Sequence, residues 1–126
     1  VAMVGYRCRR LPFFLSREAP VALESRVDDA LAAANLARAV GDVGAEAAVL
    51  LCNPIPEDHA MEPGVVAAAV RACSDLAERE GVRGKALTPY LLSCLAERTG
   101  GRSLESNLAL LEANARLAGE VAAADR

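Results

Sequence analysis

Two short apolar runs along the chain predict buried strands. Residues 1–6 (VAMVGY) and 47–52 (AAVLLC) are continuously apolar, and both runs are too short for a typical helix. Strands of this kind are usually covered on both faces, as in a parallel sheet between helix layers. The second run ends at Asn53-Pro54-Ile55-Pro56, where the prolines remove backbone donors and favour a rigid loop. Because the first run begins at residue 1, we expect the chain to be truncated inside a larger sheet.

Helical periodicity follows each predicted strand. A first helix should run from an N-cap at Asp28 to about Val40, with Gly41 ending it. A second helix should begin after Pro63 and end before Gly81. Its apolar face would comprise Val66, Val70, Cys73, Leu76 and Ala77.

Two further helices are predicted in the C-terminal third of the chain. Thr88-Pro89 is a typical helix start, since threonine can cap and proline suits the first helical position, and Gly100 ends that helix. The last helix should begin near Ser103. One of its faces carries Leu104, Leu108, Leu111, Ala115 and Ala118. The proline- and charge-rich residues 7–26 predict an irregular surface loop.

The order of these elements predicts an α/β fold, helix-rich, with two or three short strands. So few strands make a poor parallel sheet by themselves. We therefore expect further strands to come from a preceding segment or a partner chain.

Composition narrows the class of protein. The chain is 53% hydrophobic and 25% charged, which predicts a globular domain, or a piece of one, rather than a disordered chain. We expect neither membrane insertion nor export, because there is no apolar run of about 20 residues and no signal-peptide pattern, so a cytoplasmic location is favoured. Nucleic acid is an improbable partner because the net charge is -3, with only Arg7, Arg9 and Arg10 clustered.

The four cysteines show no pattern of a metal site. Cys8, Cys52, Cys73 and Cys94 include no C-x-x-C pair, and the chain has one histidine. We predict that all four are buried thiols in a reducing compartment.

Few side chains offer acid, base or nucleophilic chemistry. Lys85, the one lysine, is suited to Schiff-base formation only if burial activates it, and its place between two helices favours a solvated role. His59 follows Glu57 and Asp58, so it could titrate near neutral pH or bind a metal with those carboxylates, although a surface loop is the commoner setting. Glu57 and Asp58 could also serve as an acid–base pair, but carboxylates near a helix N-terminus are a simpler interpretation.

Two asparagines leave alternatives open. Asn53 lies at the end of a predicted strand, where ligands bind in open α/β sheets, and it could reach a ligand or tie down the following turn. Asn107 lies beside Leu108 in the last helix, and from spacing alone we favour exposure on the polar face.

Several motifs together resemble one family. They occur in the order and approximate spacing of pseudouridine-5'-phosphate glycosidases, over nearly all of the chain. The resemblance identifies residues 1–126 as the C-terminal part of an α/β/α sandwich, about the last two-fifths of a family chain. The matching segments are Gly5-Tyr6, Leu11-Pro12-x-Phe14, Arg26-Val27-Asp28, Asn53-Pro54-Ile55-Pro56-Glu57, Gly84-Lys85 with Thr88-Pro89-Tyr90-Leu91-Leu92, Thr99-Gly100-Gly101-x-Ser103-Leu104-Glu105-x-Asn107, and Asn114-Ala115-Arg116-Leu117-Ala118.

The resemblance implies a manganese-dependent enzyme that reversibly cleaves pseudouridine 5'-phosphate into uracil and ribose 5-phosphate. In that family a lysine forms a Schiff base with the sugar, a glutamate moves protons and an aspartate holds the metal. Opening the ribose to an imine supplies the electron sink that a carbon–carbon bond requires. Those positions lie in the N-terminal part of the family chain, so we expect these residues alone to be inactive and to hold no manganese.

The resemblance also assigns roles to residues present in this chain. Asn107 matches an active-site asparagine near the base and ribose, and we predict a catalytic role for it. Asn53 and Pro54 match a strand-end loop that shapes the substrate pocket. Lys85 matches a lysine that is not the nucleophile. The segment Arg7-Cys8-Arg9-Arg10 departs from the family pattern at the start of the following loop.

The sequence is consistent with two assemblies and with one rival function. An exposed strand edge predicts a homo-oligomer or a complementary N-terminal chain, as in a split enzyme. The rival is a non-catalytic helical interaction module, suggested by the stripe of Leu104, Leu108 and Leu111. A DNA-binding version lacks the basic residues that its second helix would need.

Overall fold

A computed structural model describes residues 1–44 and 47–125. They form three strands, four α-helices and two single-turn 3₁₀ helices, Glu57–His59 and Gly84–Ala86. The strands are β1 (Ala2–Tyr6), β2 (Ser25–Val27) and β3 (Val49–Cys52). The helices are α1 (Ala30–Asp42), α2 (Pro63–Arg79), α3 (Leu87–Arg98) and α4 (Arg102–Ala124). The predicted α/β class is confirmed.

The sheet is parallel, with the strands in the order β2-β1-β3. The first and third strands lie where the apolar runs predict them. Strand β2 falls at the end of the segment predicted to be irregular, so that prediction is wrong for its last residues. Its three residues, Ser25 to Val27, include only one apolar side chain, and pairing with β1 rather than local pattern makes them extended.

Helix starts differ by a residue or two from their predicted positions. Asp29, not Asp28, caps α1, because its Oδ1 accepts a hydrogen bond from the backbone N–H of Ala32 over 2.7 Å. The carboxylate of Asp28 instead accepts from the Nε of Arg26 at 2.6 Å. Helix α3 begins at Leu87, directly after the second 3₁₀ turn, so Thr88 lies inside the helix and does not cap it.

Helices α1 and α4 lie on one face of the sheet. The side chain of Leu51 lines a cavity between α1 and α4, and Val4, its register partner, is 2% exposed on the same face. The opposite face is open at Met3 and Leu50, which are 40% and 52% exposed. Within the described residues the prediction that both faces are covered is therefore wrong, because α1 and α4 lie on the same face.

A second hydrophobic core joins the long loop between β1 and β2 (residues 7–24) to α2. Leu15, Met61 and Val66 are buried together, with Phe14 and Val70 packed around them. The backbone N–H of Met61 donates to the carbonyl of Leu15 over 2.7 Å. The long loop thus has a fixed place between the strand ends and α2.

The face of α4 that carries the leucine stripe lies in solvent. Leu104, Leu108 and Leu111 are 55–57% exposed. Ser103, Ser106 and Leu117 are the buried residues of this helix. None of the helices in the described part of the chain is long and apolar enough to cross a membrane.

The cysteines form two pairs with different chemistry. Cys73 of α2 and Cys94 of α3 are joined by a disulfide, so the prediction of free thiols is wrong for these two. Their spacing gives no hint of this, because only the packing of α2 on α3 brings the Cα atoms to 5.9 Å. Cys52 is free and buried, as predicted, whereas free Cys8 is only half-buried.

Candidate functional site

The carboxyl ends of the three parallel strands meet at one edge of the sheet. Arg7 follows β1, Asp28 follows β2 and Asn53 follows β3. The Nε of Arg7 donates to the backbone carbonyl of Asp28 over 2.8 Å, which joins two neighbouring strand ends. The guanidinium carbon of Arg7 also lies 5.1 Å from the ring centroid of Tyr6. In open α/β folds this is the edge where ligands bind.

A pair of side-chain amides connects this edge to α4. The Nδ2 of Asn53 donates to the Oδ1 of Asn114 over 3.0 Å. Both residues line a cavity of about 480 Å³ between α1, β3 and α4, which is otherwise walled mainly by aliphatic side chains. This hydrogen bond anchors Asn53 to a distant helix rather than to its own turn, and the contact of Asn53 with a ligand stays a prediction.

The loop after β3 is held in place by the long loop. Pro54 is half-buried, and Ile55 beside it is fully buried. The Nη1 of Arg17 donates to the carbonyl of Ile55 over 2.8 Å. This contact leaves the strand-end loop little freedom, which suits a pocket wall.

Asn107 lies on the same face of α4 as Asn114. Seven residues make almost two full turns, so the two side chains point in nearly the same direction, about 10 Å apart along the axis. Asn107 is half-buried, and the neighbouring Ser106 Oγ donates to the carbonyl of His59 over 2.8 Å. Asn107 does not line the cavity that Asn53 and Asn114 line, so Asn107 and Asn114 share a helix face without sharing that cavity.

The other candidate residues are exposed. The Nε2 of His59 lies 3.6 Å from the Oδ2 of Asp58, and both side chains reach solvent. Lys85 is exposed in a 3₁₀ turn, in agreement with the solvated interpretation. Over residues 1–44 and 47–125 there is no group of three His, Cys, Asp or Glu side chains that could hold a metal ion.

Two free cysteines, Cys8 and Cys52, lie at the carboxyl ends of β1 and β3. The Sγ of Cys8 donates to the carbonyl of Cys52 over 3.6 Å. Burial raises the pKa of the Cys8 thiol, and the nearby Cys52 raises it further. Burial also raises the pKa of Cys52. Both cysteines are therefore poor nucleophiles near neutral pH, and their role is packing.

The sequence did not single out Asn114 or Arg17 as site residues. Asn114 belongs to the last matching motif, but only the tertiary fold shows that it is the partner of Asn53. Arg17 lies in an irregular segment, where no periodicity indicates its contact with Ile55.

Comparison with known families gives a match over nearly the whole chain. A family model described as indigoidine synthase A like protein matches residues 1–124. A pseudouridine-5'-phosphate glycosidase from Gemmatimonas aurantiaca is 46% identical over 124 residues, which are 98% of this chain and 40% of that protein. One from Caldanaerobacter subterraneus is 36% identical over 122 residues, which are 97% of this chain and 40% of that protein.

Solved structures give the same result. The prealnumycin C-glycosynthase AlnA, in complex with ribulose 5-phosphate, has a TM-score of 0.84 and 38% identity, covering 99% of this chain and 41% of that one. An indigoidine synthase A-like protein from Thermotoga maritima also has a TM-score of 0.84, with 31% identity, over 97% of this chain and 40% of that one. The chain therefore spans about 40% of the length of the relatives that it matches.

Proposed function

Because the chain belongs to the indigoidine synthase A like family, we propose that it forms part of an enzyme that acts on pseudouridine 5'-phosphate. The resemblance to pseudouridine-5'-phosphate glycosidases is confirmed by relatives at 36% and 46% identity. The proposed reaction is reversible cleavage of the C-glycosidic bond to uracil and ribose 5-phosphate. We use "complementary part" for the portion of these relatives outside the region that this chain matches.

In this proposal the complementary part supplies the Schiff-base lysine. Lys85 is the one lysine of the chain, and it is exposed rather than enclosed by apolar side chains. A lysine that attacks a sugar carbonyl must lose its proton, which burial or a nearby cation promotes. The position of Lys85 provides no such enclosure, so we assign it no catalytic step.

The manganese that the family resemblance implies does not fit this chain. Its described residues contain no cluster of three His, Cys, Asp or Glu side chains. We propose that the metal is bound by the complementary part, and we derive no step of the reaction through it.

This chain would contribute Asn107 together with the loop at Asn53 and Pro54. The observation that carries this assignment is the Asn53–Asn114 hydrogen bond, which ties the strand-end loop to the helix face on which Asn107 lies. An amide presents two donors and one acceptor, which suits ribose hydroxyls and the edge of uracil. We propose that Asn107 binds the base or ribose and that Asn53 and Pro54 form the wall of the pocket.

The cellular location and the assembly of the enzyme are also part of the proposal. We propose a cytoplasmic protein that acts as a homo-oligomer or as one part of a split enzyme. Sedimentation of the completed protein tests its assembly, and cell fractionation tests its location.

The rival function, a helical interaction module, has one observation in its favour. The leucine stripe of α4, formed by Leu104, Leu108 and Leu111, is exposed. That module would need no asparagine at position 107. The effect of an Asn107 substitution on turnover therefore distinguishes the enzyme from the interaction module.

The test uses a chimera in which this chain replaces the matching 40% of the Gemmatimonas aurantiaca relative. We expect the chimera to release uracil from pseudouridine 5'-phosphate, and Asn107→Ala to lower kcat/KM by roughly 100-fold, as for loss of a transition-state hydrogen bond. Asn35→Ala, at an exposed asparagine of α1, is the matched control and should change little. Full activity of the Asn107→Ala chimera would refute the assigned role.

A further inference from the structure

The two free cysteines lie on the same side of the sheet. Gly5 of β1 and Cys52 of β3 are register partners, so a side chain at either position points to the same side. A Cβ at Gly5 would lie 3.0 Å from the Sγ of Cys8, so Cys8 folds back over Gly5 on that side. Neighbouring strands are about 4.8 Å apart. Cys8 and Cys52 are therefore neighbours in space, although they are 44 positions apart in the sequence.

Both thiols make only weak hydrogen bonds. The Sγ of Cys8 donates to the backbone carbonyl of Cys52 over 3.6 Å, and the Sγ of Cys52 donates to the carbonyl of Leu50 over 3.7 Å. Because thiols are weak donors, turning the two sulfur atoms toward each other costs little hydrogen-bond energy. A disulfide joins Cα atoms about 4.4–6.8 Å apart, a span similar to the spacing of neighbouring strands.

We propose that Cys8 and Cys52 are a modification site, at which a low-molecular-weight disulfide such as glutathione disulfide converts the two thiols into an intramolecular disulfide. In the reduced chain the contact of the two cysteines is packing. Oxidation would join the segment after β1 to the last residue of β3, directly before Asn53. The inference does not rest on the proposed function, because no step requires turnover of a substrate.

The exposure of the two cysteines sets the order of the steps. Cys8 is half-buried and Cys52 is 8% exposed, so a dissolved disulfide reaches Cys8 first. The thiolate of Cys8 attacks one sulfur of glutathione disulfide, which forms a mixed disulfide and releases one glutathione. The thiolate of Cys52 then attacks the Sγ of Cys8 and releases the second glutathione. Two protein thiols are thus oxidised, and one glutathione disulfide is reduced to two thiols that take up the two protons.

Both steps are slow near neutral pH. Burial raises the pKa of the Cys8 thiol, Cys52 raises it further, and the positive charges of Arg26 and Arg17 oppose the rise. Burial also raises the pKa of Cys52. A thiol of high pKa is a stronger nucleophile once it has lost its proton, so the high pKa slows the exchange without preventing it.

Peptide mapping of the 126-residue chain tests the proposal. The chain is incubated with glutathione disulfide at mildly alkaline pH, quenched with acid, alkylated and digested with trypsin. Cleavage after arginine and lysine leaves each of the four cysteines in its own peptide. We expect residues 8–9 to be linked to residues 39–71, in addition to the existing link between residues 72–79 and 86–98.

Variants test the order of the steps and the part played by the fold. Cys52→Ser lacks the second thiol, so we expect glutathione to accumulate on Cys8. Cys8→Ser retains only the buried thiol of this pair, so we expect it to take up glutathione about tenfold or more slowly than Cys52→Ser. The Cys73→Ala, Cys94→Ala double variant is compared in buffer and in concentrated urea. We expect its ratio of linked to glutathione-bound chain to be about tenfold or more higher in buffer, because folding holds the two thiols together.

Three outcomes would overturn the inference. The first is a folded chain in which Cys8 and Cys52 stay unlinked, whether or not glutathione binds Cys8. The second is a link between two chains instead of within one, shown by a doubled mass. The third is an equal ratio of linked to glutathione-bound chain in buffer and in urea, because the fold would then not bring the two thiols together.

Discussion

The side-chain amide of Asn53 donates to the Oδ1 of Asn114 over 3.0 Å, across 61 positions of the sequence. This hydrogen bond connects the end of β3 to the middle of α4. It places the strand-end loop against the helix face that also carries Asn107. This bond between two uncharged side chains acts together with the Arg17–Ile55 hydrogen bond, which holds the same loop.

Removing this contact should cost a small amount of stability. Asn114→Ala leaves the Asn53 amide without its protein partner, and we expect a loss of about 0.5–1.5 kcal/mol in the free energy of unfolding. Urea unfolding of Asn114→Ala and of the unsubstituted chain measures the difference in stability. Asn35→Ala, in an exposed part of α1, is the control. Equal stability of Asn114→Ala and the unsubstituted chain would show that the amide pair does not hold the loop.

Gly5 should tolerate no side chain. A Cβ at this position would overlap the carbonyl oxygen of Cys8, which is backbone and cannot rotate away. We expect Gly5→Ala to destabilise the chain by about 1–3 kcal/mol, as overpacking does elsewhere. Gly41→Ala is the control, because a Cβ there meets nothing within 4 Å. An unchanged temperature of thermal unfolding in Gly5→Ala would contradict the close approach of Gly5 to the carbonyl oxygen of Cys8.

The start of α2 should respond to acid. The carboxylate of Glu62 accepts hydrogen bonds from the backbone N–H groups of Gly64 and Val65, and these bonds lower its pKa from the ordinary value of 4.5. A pKa that is lower in the folded state contributes stability above the unfolded pKa. That contribution is lost as the pH falls through the folded pKa.

A pH series of unfolding measurements on Glu62→Gln checks this effect. We expect Glu62→Gln to be less stable than the unsubstituted chain at pH 7, and the difference to shrink as the pH falls below 4.5. Asp75→Asn, at an exposed position on the same helix, is the matched control for the loss of a carboxylate. A difference that stays constant down to the lowest pH would rule out the charged cap.

The disulfide between α2 and α3 should stabilise the chain. Opening the Cys73–Cys94 bond releases a loop closed over 21 positions, and we expect a loss of about 2–4 kcal/mol on reduction. Unfolding in urea with and without dithiothreitol measures this. The Cys73→Ala, Cys94→Ala double variant should not respond to the reductant. A response in the double variant would mean that the reductant acts elsewhere.

Local patterns predicted the parts of the fold that local chemistry determines. The apolar runs located β1 and β3, and proline, glycine and apolar spacing located four helices within a few residues. Strand β2 could not be predicted in this way, because its extended shape depends on pairing with β1. The pairing of Cys73 with Cys94 required the packing of α2 on α3, which spacing along the chain does not specify.

The sequence predicted which residues belong to the candidate site better than it predicted the contacts between them. The motifs indicated Asn53, Pro54 and Asn107, but the link from Asn53 to Asn114 depends on the layer that α4 forms over the sheet. Likewise, the apolar runs indicated that Met3 and Leu50 should be covered. Only the strand register shows that they share the face that is open in this chain.

Chromatographic detection of uracil tests the central claim most directly. Pseudouridine 5'-phosphate is incubated with manganese and either the purified 126-residue chain or the chimera that joins it to the complementary part. The account predicts uracil from the chimera and none, above a protein-free control, from the folded chain alone. Release by the chain alone would contradict it, because Lys85 would then have to form the Schiff base.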